Sequence, residues 1–120
     1  MIISLTMLKT KTTANFKNWY LYVLLCGDNS FYVGVTVDVA RRVRQHAAGV
    51  GARYTRSHLP VTLLCSMLAG ISRSEAQRLE RVVKKLRRKQ KEKLVEALQK
   101  GDLQSVEILL SQTAKKTKNA

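Results

Sequence analysis

Five polar side chains stand in an order that could support hydrolysis of a phosphodiester. In chain order they are Tyr22, Tyr32, Arg42, His46 and Glu80. Hydrolysis needs a base that deprotonates water and cations that hold the charge building on the phosphate oxygens. A tyrosine, with an ordinary pKa of about 10, can be that base only beside a metal ion or an arginine. A carboxylate can hold the metal, so these residue types indicate metal-assisted phosphodiester cleavage.

The arginine and the histidine stand one helical turn apart. Arg42 would offer a phosphate a planar guanidinium that stays charged, and His46 could contact the phosphate or relay a proton. Composition alone does not choose between Arg42 and Arg41, because Arg41 and Arg44 are equally basic.

Each candidate also has a purely structural explanation. Tyrosines in strands are usually half-buried packing residues. Glu80 could form an ion pair with Lys84, four residues later on the same helix, whereas Glu75 is explained by helix capping. His58 is assigned to the surface and not to the catalytic set.

The chain is strongly basic along its whole length. It has 22 Lys and Arg against 8 Asp and Glu, a formal net charge of +14. Residues 1–70 carry 8 basic and 2 acidic side chains, and residues 71–120 carry 14 and 6. Such an excess attracts nucleic acid or anionic membrane surfaces. A ribosomal or RNA-associated protein would explain the charge but not the ordered set of candidate residues.

Length, cysteine content and apolar content predict one domain in a reducing compartment. Cys26 and Cys65 lack a C-x-x-C partner, which favours buried free thiols over a zinc site or a disulfide framework. No apolar stretch reaches the roughly 18 residues of a spanning helix, and the first eight residues lack a secretory pattern. We therefore expect a cytoplasmic protein with no membrane partner.

Three segments carry strand patterns. Residues 19–26 and 31–36 are rich in aromatic and aliphatic side chains, and the turn residues Gly27 to Ser30 between them predict a β-hairpin. Residues 61–67 predict a third strand. The expected fold is α+β, with a small three-stranded antiparallel sheet flanked by helices.

A helical pattern follows the hairpin. Thr36 or Asp38 can cap this helix, and its apolar stripe is Val39, Val43 and Ala47. We expect the stripe to face the core, with the candidate arginine and histidine on the surface beside it.

The other segments are assigned by the same criteria. Residues 50–59 lack a sustained period and predict a basic loop suited to phosphate contact and base stacking. A capping box at Ser72 to Glu75 begins a helix at about 73–87. The remaining expectations are a flexible extension at 1–17, a helix at 89–100, a short helix at 102–110 and a disordered end at 115–120. The predicted division is an extension at 1–17, a domain at 18–100 and a tail at 101–120.

Five motifs in this order resemble those of the GIY-YIG nucleases. The resemblance is closest to the small stand-alone bacterial (YhbQ-like) members, which are related to structure-selective junction nucleases, and it covers about residues 18–97. The matching segments are Trp19-Tyr20-Leu21-Tyr22-Val23-Leu24, Phe31-Tyr32-Val33-Gly34-Val35-Thr36, Thr36 to His46, Gly51-Ala52-Arg53-Tyr54-Thr55-Arg56 and Arg73 to Glu80. The ordered set identifies the family, although either tripeptide alone would be weak evidence.

Two departures from the family pattern affect the expected site. Tyr20 occupies the place of the first motif's glycine, which the small members tolerate. Val35 stands where excision-repair relatives carry a lysine, which leaves Arg42 as the main cation. No separate DNA-binding domain is expected after the nuclease domain, which disfavours sequence specificity.

The resemblance implies a role for each candidate residue. Tyr32 is the implied general base, and Tyr22 hydrogen-bonds beside it and orients the water. Arg42 holds the phosphate, His46 completes the catalytic set, and Glu80 binds Mg²⁺ or Mn²⁺. The expected nucleic-acid contacts are Arg41, Arg44, Arg53, Tyr54 and Arg56.

The predicted function is metal-dependent endonuclease cleavage of DNA, selected by structure rather than sequence and serving repair or recombination. The alternative is a catalytically inactive nucleic-acid-binding module of the same fold, against which the intact candidate residues argue. The sequence leaves open whether the substrate is branched, damaged or single-stranded DNA, or RNA. It also leaves open whether a protein partner supplies specificity.

The hairpin must also satisfy a geometric condition. Tyr22 and Tyr32 can serve one phosphate only if they project from the same face of the sheet. Residues on one face alternate along each strand and meet their partners on that face. In an antiparallel hairpin, the residue numbers of every opposed pair add up to the same sum. Because 22 and 32 are both even, the two tyrosines lie on one face only if that sum is even, which requires an odd-length loop or a bulge.

Overall fold

A computed structural model describes residues 16–119, and the side chains of residues 16–112. Most of the predicted extension at 1–17 lies outside the described residues. The described elements are β1 (Trp19–Leu25), β2 (Phe31–Thr36), α1 (Val39–Ala47), α2 (Arg53–Arg56), β3 (Thr62–Gly70), α3 (Arg73–Lys84), α4 (Arg88–Lys100) and α5 (Leu103–Asn119).

The three strands form the predicted antiparallel sheet, in the order β2-β1-β3. In the hairpin, Leu25 pairs with Phe31, Leu24 with Tyr32 and Tyr22 with Gly34. The paired positions have an even sum, and the loop from position 26 to 30 has five residues. The expected odd-length loop is therefore confirmed, and the two tyrosines share a face.

One face of the sheet carries the apolar core. Leu21, Val23 and Val33 pack there against Val83 and against the buried side chains of the last two helices. Those side chains are Leu94, Val95 and Ala97 of α4 and Val106 of α5. Because every second strand residue is apolar on this face, the sheet can bury it under α3, α4 and α5.

The C-terminal region differs from the expectation of a tail. Instead of a short helix and a disordered end, α5 runs from Leu103 to Asn119. Val106 is only 4% exposed and belongs to the core, with Leu109 and Leu110 packed against it. The apolar residues of this helix pack on the domain because their helical spacing gives it one face to bury.

The opposite face of the sheet is covered by α1 and α2. Asp38 caps α1 by accepting a hydrogen bond from the backbone N–H of Arg41. The expected stripe was wrong at its end, because Ala47 is exposed while His46 is completely buried. A hydrogen bond to Tyr22 on the sheet makes burial of the histidine favourable. The predicted loop at 50–59 also contains the short helix α2.

Both cysteines are free, but only Cys26 is buried, whereas Cys65 is partly exposed. Burial raises the pKa of the Cys65 thiol to about 11. Within residues 16–119, none of the helices combines the length and the apolar content that a bilayer crossing requires.

Candidate active site

The side chain of Tyr22 lies across Gly34, its partner on the neighbouring strand. A Cβ atom at Gly34 would stand 2.5 Å from the Tyr22 hydroxyl oxygen and 2.6 Å from Cζ. Only glycine leaves room for the phenol at this position. The ring of a central-strand tyrosine can therefore reach over β2, the edge strand, to the side of the sheet.

A chain of hydrogen bonds leads from Tyr22 into the protein. The Tyr22 hydroxyl lies 2.8 Å from His46 Nε2, and His46 Nδ1 lies 2.7 Å from Thr55 Oγ1. The Thr55 hydroxyl donates to the carbonyl oxygen of Ala52, at 2.9 Å. Because that donation uses the only hydroxyl proton of Thr55, its oxygen must accept from Nδ1–H of His46, and Nε2 accepts from Tyr22.

The burial of His46 removes one of its predicted roles. Its side chain is 0% exposed, so it does not reach a phosphate in the groove. Burial, and to a smaller extent the charge of Arg42, lowers the pKa of His46, which favours the neutral imidazole assigned above. In this structure His46 therefore acts on Tyr22, which it holds by a hydrogen bond from behind the groove.

Tyr22 is held as a neutral phenol. Burial raises the pKa of Tyr22 to about 12, although the nearby Arg42 guanidinium opposes the shift. With its proton directed at His46, the oxygen can present only lone pairs to other groups. This geometry suits a group that accepts a hydrogen bond from water and holds it in place.

Tyr32 stands beside this pair on the same face. Its ring centroid lies 6.4 Å from that of Tyr22 and 5.1 Å from that of His46. The ring of Tyr54, from α2, stacks on that of Tyr32, with 6.2 Å between the ring centroids. Tyr32 is only partly buried, so its hydroxyl can meet solvent and substrate.

Four of the five predicted catalytic or metal-binding side chains line one groove of about 440 Å³. They are Tyr22, Tyr32, Arg42 and Glu80. The groove lies at the edge formed by β2, because the tyrosines come from the face under α1 whereas Glu80 comes from α3 on the core face. His46 is the fifth residue and lies behind Tyr22.

The arginine on the α1 wall of the groove is partly buried and fixed. Arg42 donates from Nη1 to Oε1 of Gln45, at 2.9 Å. Arg41 is exposed and does not line the groove. The structure thus places Arg42, and not its neighbour, beside the tyrosines.

Glu80 combines the two alternatives that its sequence position allows. Its carboxylate forms an ion pair with Lys84, at 3.0 Å, and it also lines the groove. Glu75 serves the cap instead: its backbone N–H donates to Ser72 Oγ, and its side chain accepts from the backbone N–H of Ile71.

The donor set of the groove fits a hard cation held by few protein ligands. Glu80 is the one acidic residue among the side chains that line it, and the described residues contain no group of three or more His, Cys, Asp or Glu arranged as a metal cage. Mg²⁺ commonly keeps several waters and takes one or two carboxylates together with phosphate oxygens. Glu80 is the residue that would hold it here.

The predicted nucleic-acid contacts lie on α1 and α2 and do not line the groove itself. Arg41, Arg44, Arg53 and Arg56 are all exposed. Tyr54 is 40% exposed, but its ring stacks on His58 at 4.1 Å and its hydroxyl donates to Ser30 Oγ at 2.6 Å. The phosphate-binding role of the arginines and the base-stacking role of Tyr54 remain predictions.

Sequence reasoning missed four residues that build the site. Thr55 fixes the tautomer of His46, and a Cβ atom at Gly51 would collide with the His46 ring. Both belong to the motif from Gly51 to Arg56, which is the signal that could have identified them. Arg73 and Gln77 line the groove beside Glu80, and their helical spacing from Glu80 was the available signal.

The contact between Gly34 and Tyr22 yields a testable prediction. Gly34→Ala should displace the Tyr22 phenol, lower the stability by about 1–3 kcal/mol and reduce any activity that depends on Tyr22. Urea unfolding measures the first effect. In a double-mutant cycle with Tyr22→Ala, the two costs should be non-additive, because removing the ring removes the collision. Additive costs would contradict the assigned contact.

Comparison with known proteins agrees with the geometry. A family model described as the GIY-YIG catalytic domain matches residues 18–93. The chain therefore belongs to the GIY-YIG family, as the five motifs predicted.

Within that family, the relatives include proteins named UPF0213. One from Cronobacter sakazakii is 49% identical over 79 residues, which cover 66% of this chain and 82% of that protein. YhbQ from Salmonella typhimurium, also a UPF0213 protein, is 47% identical over 77 residues, which cover 64% of this chain and 76% of that protein. The protein EF2693 from E. faecalis, which has a solution NMR structure, is 44% identical in sequence. The match covers 69% of this chain and 88% of that chain, with a TM-score of 0.47.

Proposed function

We propose that this protein is a metal-dependent endonuclease that hydrolyses phosphodiester bonds in DNA. The observation that carries the proposal is the convergence of Tyr22, Tyr32, Arg42 and Glu80 on one groove. These side chains come from four elements on two faces of the sheet, and packing alone does not require them to meet. Their chemistry is the chemistry that phosphodiester hydrolysis needs.

In this mechanism, Tyr32 removes the proton from the attacking water. Its hydroxyl is the accessible one of the pair, and the proton of Tyr22 is engaged by His46. Tyr22 accepts a hydrogen bond from the same water and aligns it with the phosphorus atom. The buried chain through His46 and Thr55 ends at a backbone carbonyl, so it holds Tyr22 in place and does not carry protons to solvent.

Arg42 and Glu80 act on the phosphate from opposite walls of the groove. The Arg42 guanidinium binds two phosphate oxygens and stabilises the charge that develops on them. Glu80 would hold Mg²⁺ or Mn²⁺, which when bound would supply positive charge that favours deprotonation of water and phenol and offsets the charge on the leaving oxygen. Because Lys84 already pairs with Glu80, this lysine must move aside or share the carboxylate.

Selection by structure rather than sequence follows from the kind of contacts available. The exposed cations of α1 and α2 are arginines suited to phosphate oxygens, and phosphate contacts position a nucleic acid without reading its bases. We propose that the preferred DNA has a branch or a damaged segment, as in repair or recombination, and that a protein partner can add specificity. A binding module without turnover is the second candidate, favoured by the net charge of +14.

The decisive experiment is a cleavage assay on a panel of end-labelled nucleic acids. The panel should contain duplex, nicked, single-stranded, three-way and four-way DNA together with RNA, each with Mg²⁺, with Mn²⁺ and with a chelator. We expect metal-dependent cleavage that is fastest on one of the structured DNAs. Tight binding without cleavage under every condition would favour the binding module.

Glu80→Ala should abolish most of this cleavage and leave DNA affinity largely unchanged, because the carboxylate acts on the metal and not on the charged surface. The matched control is Glu75→Ala, which removes a carboxylate from the same helix at its cap and should lower stability by about 1 kcal/mol with cleavage retained. Unchanged cleavage and an unchanged requirement for Mg²⁺ in Glu80→Ala would refute the metal assignment.

Arg53→Ala and Arg56→Ala should instead weaken DNA binding and reduce the salt dependence of that binding.

A further inference from the structure

One wall of the groove carries two polar side chains that the mechanism does not use. Arg73, Gln77 and Glu80 all line the groove from α3. Spacings of four and three residues place them on one face of the helix, in a row from its N-terminal end. The row therefore extends the groove beyond the place where Glu80 and the tyrosines meet.

The first residue of this row presents uncompensated charge. Arg73 is exposed and forms no ion pair with the described side chains, in contrast to Glu80, which pairs with Lys84 at 3.0 Å. The acid nearest to Arg73 in sequence, Glu75, is occupied by the backbone N–H of Ile71 at 2.8 Å. A permanently charged guanidinium in a polar groove is suited to a phosphate.

The spacing of Arg73 and Glu80 along α3 indicates which phosphate of a bound strand Arg73 would meet. Seven residues of α-helix correspond to about 10 Å along its axis. On this spacing, when Glu80, Tyr32 and Arg42 hold one phosphate, Arg73 stands nearer to a neighbouring phosphate of the same strand. Arg73 faces a position further along the same strand, and Gln77 lies between the two positions.

We infer that Arg73 and Gln77 form a subsite for the part of the strand next to the scissile bond. Arg73 binds a flanking phosphate, and the Gln77 amide contacts the nucleoside between that phosphate and the scissile one. The inference rests on the proposed nuclease function. It adds a requirement on the substrate: the strand must continue past the cleavage point on the Arg73 side, so the enzyme cuts at internal positions and does not trim ends on that side.

The test uses DNA in which one phosphate at a time is replaced by a neutral methylphosphonate. We expect that one flanking position, on one side only, slows cleavage by the wild-type protein about tenfold. Arg73→Ala should cut the unmodified DNA about tenfold more slowly, and the neutral linkage at that position should then have no further effect. The matched control is Arg78→Ala, which removes an arginine of the same helix that lines a different, mainly apolar groove. It should keep the wild-type pattern.

The outcomes separate this inference from the proposed function. If the wild type cleaves and Arg73→Ala keeps the sensitivity of the wild type at every position, the subsite is refuted while the nuclease stands. If the wild type cleaves nothing, the proposed function fails, and the subsite is judged from dissociation constants of the same oligonucleotides. If the neutral linkage weakens binding of the wild type at one position and no longer does so in Arg73→Ala, the subsite is supported. If Arg73→Ala keeps that sensitivity, the subsite is overturned.

Discussion

Tyr32→Phe should lower the rate of DNA cleavage by about a thousandfold and leave the dissociation constant for DNA within about twofold of the wild type. The substitution removes one hydroxyl and keeps the ring that packs near Tyr22, His46 and Tyr54. Fold and surface charge therefore stay the same, and only the proton acceptor is lost. Single-turnover cleavage with saturating protein measures the chemical step, and fluorescence anisotropy with a chelator measures binding.

Two neighbouring tyrosines serve as comparisons. Tyr54→Phe removes a hydroxyl that is bound to Ser30 at 2.6 Å and should change cleavage by less than about threefold. Tyr22→Phe should slow cleavage and also destabilise the protein by about 1–3 kcal/mol, because buried His46 Nε2 loses its partner. If Tyr32→Phe cleaves at nearly the wild-type rate while Tyr22→Phe does not, the base is Tyr22 and the assignment made above is wrong.

Arg42→Ala should reduce cleavage by about a hundredfold to a thousandfold, as expected when a preorganised group that binds transition-state charge is removed. The guanidinium lines the groove and is fixed by Gln45, so the loss should appear in the chemical step more than in affinity. Arg41→Ala removes the same charge from the same helix at an exposed position. It should alter binding a few-fold and reduce the salt slope by about one.

Equal losses from these two arginine substitutions would mean that the protein presents a diffuse basic patch. That result would support the binding module and not the nuclease. Arg42→Lys gives a further readout, because a lysine keeps the charge but lacks the planar fork. Its activity should fall between those of the wild type and Arg42→Ala.

Local sequence patterns predicted much of the fold. The strands, the hairpin and the capped helix at Ser72 each depend on neighbours within a few residues, and the structure contains all of them. Strand alternation also turned the requirement that Tyr22 and Tyr32 share a face into the prediction of an odd-length loop or a bulge, and the five-residue loop confirms it. The family followed from motifs that are contiguous in sequence, and the match over residues 18–93 confirms it.

The patterns failed where a distant partner decides burial. In α1 the apolar period favoured Ala47 for the core, but the helix buries His46, because Tyr22 and Thr55 satisfy both ring nitrogens. The C-terminal residues looked like a tail because their face has no partner in the local sequence, and α3 and α4 supply that partner.

The sequence by itself determined which chemical groups this protein has, their order, and how they alternate between the two faces of each strand. Only the tertiary structure decided that groups from opposite sides of the sheet meet at one edge. Gly34 lets the Tyr22 ring extend over β2, and the packing of α3 brings Glu80, Gln77 and Arg73 to the same groove. The physical reason is that backbone periodicity fixes directions within an element, whereas the contacts between elements depend on how their side chains pack.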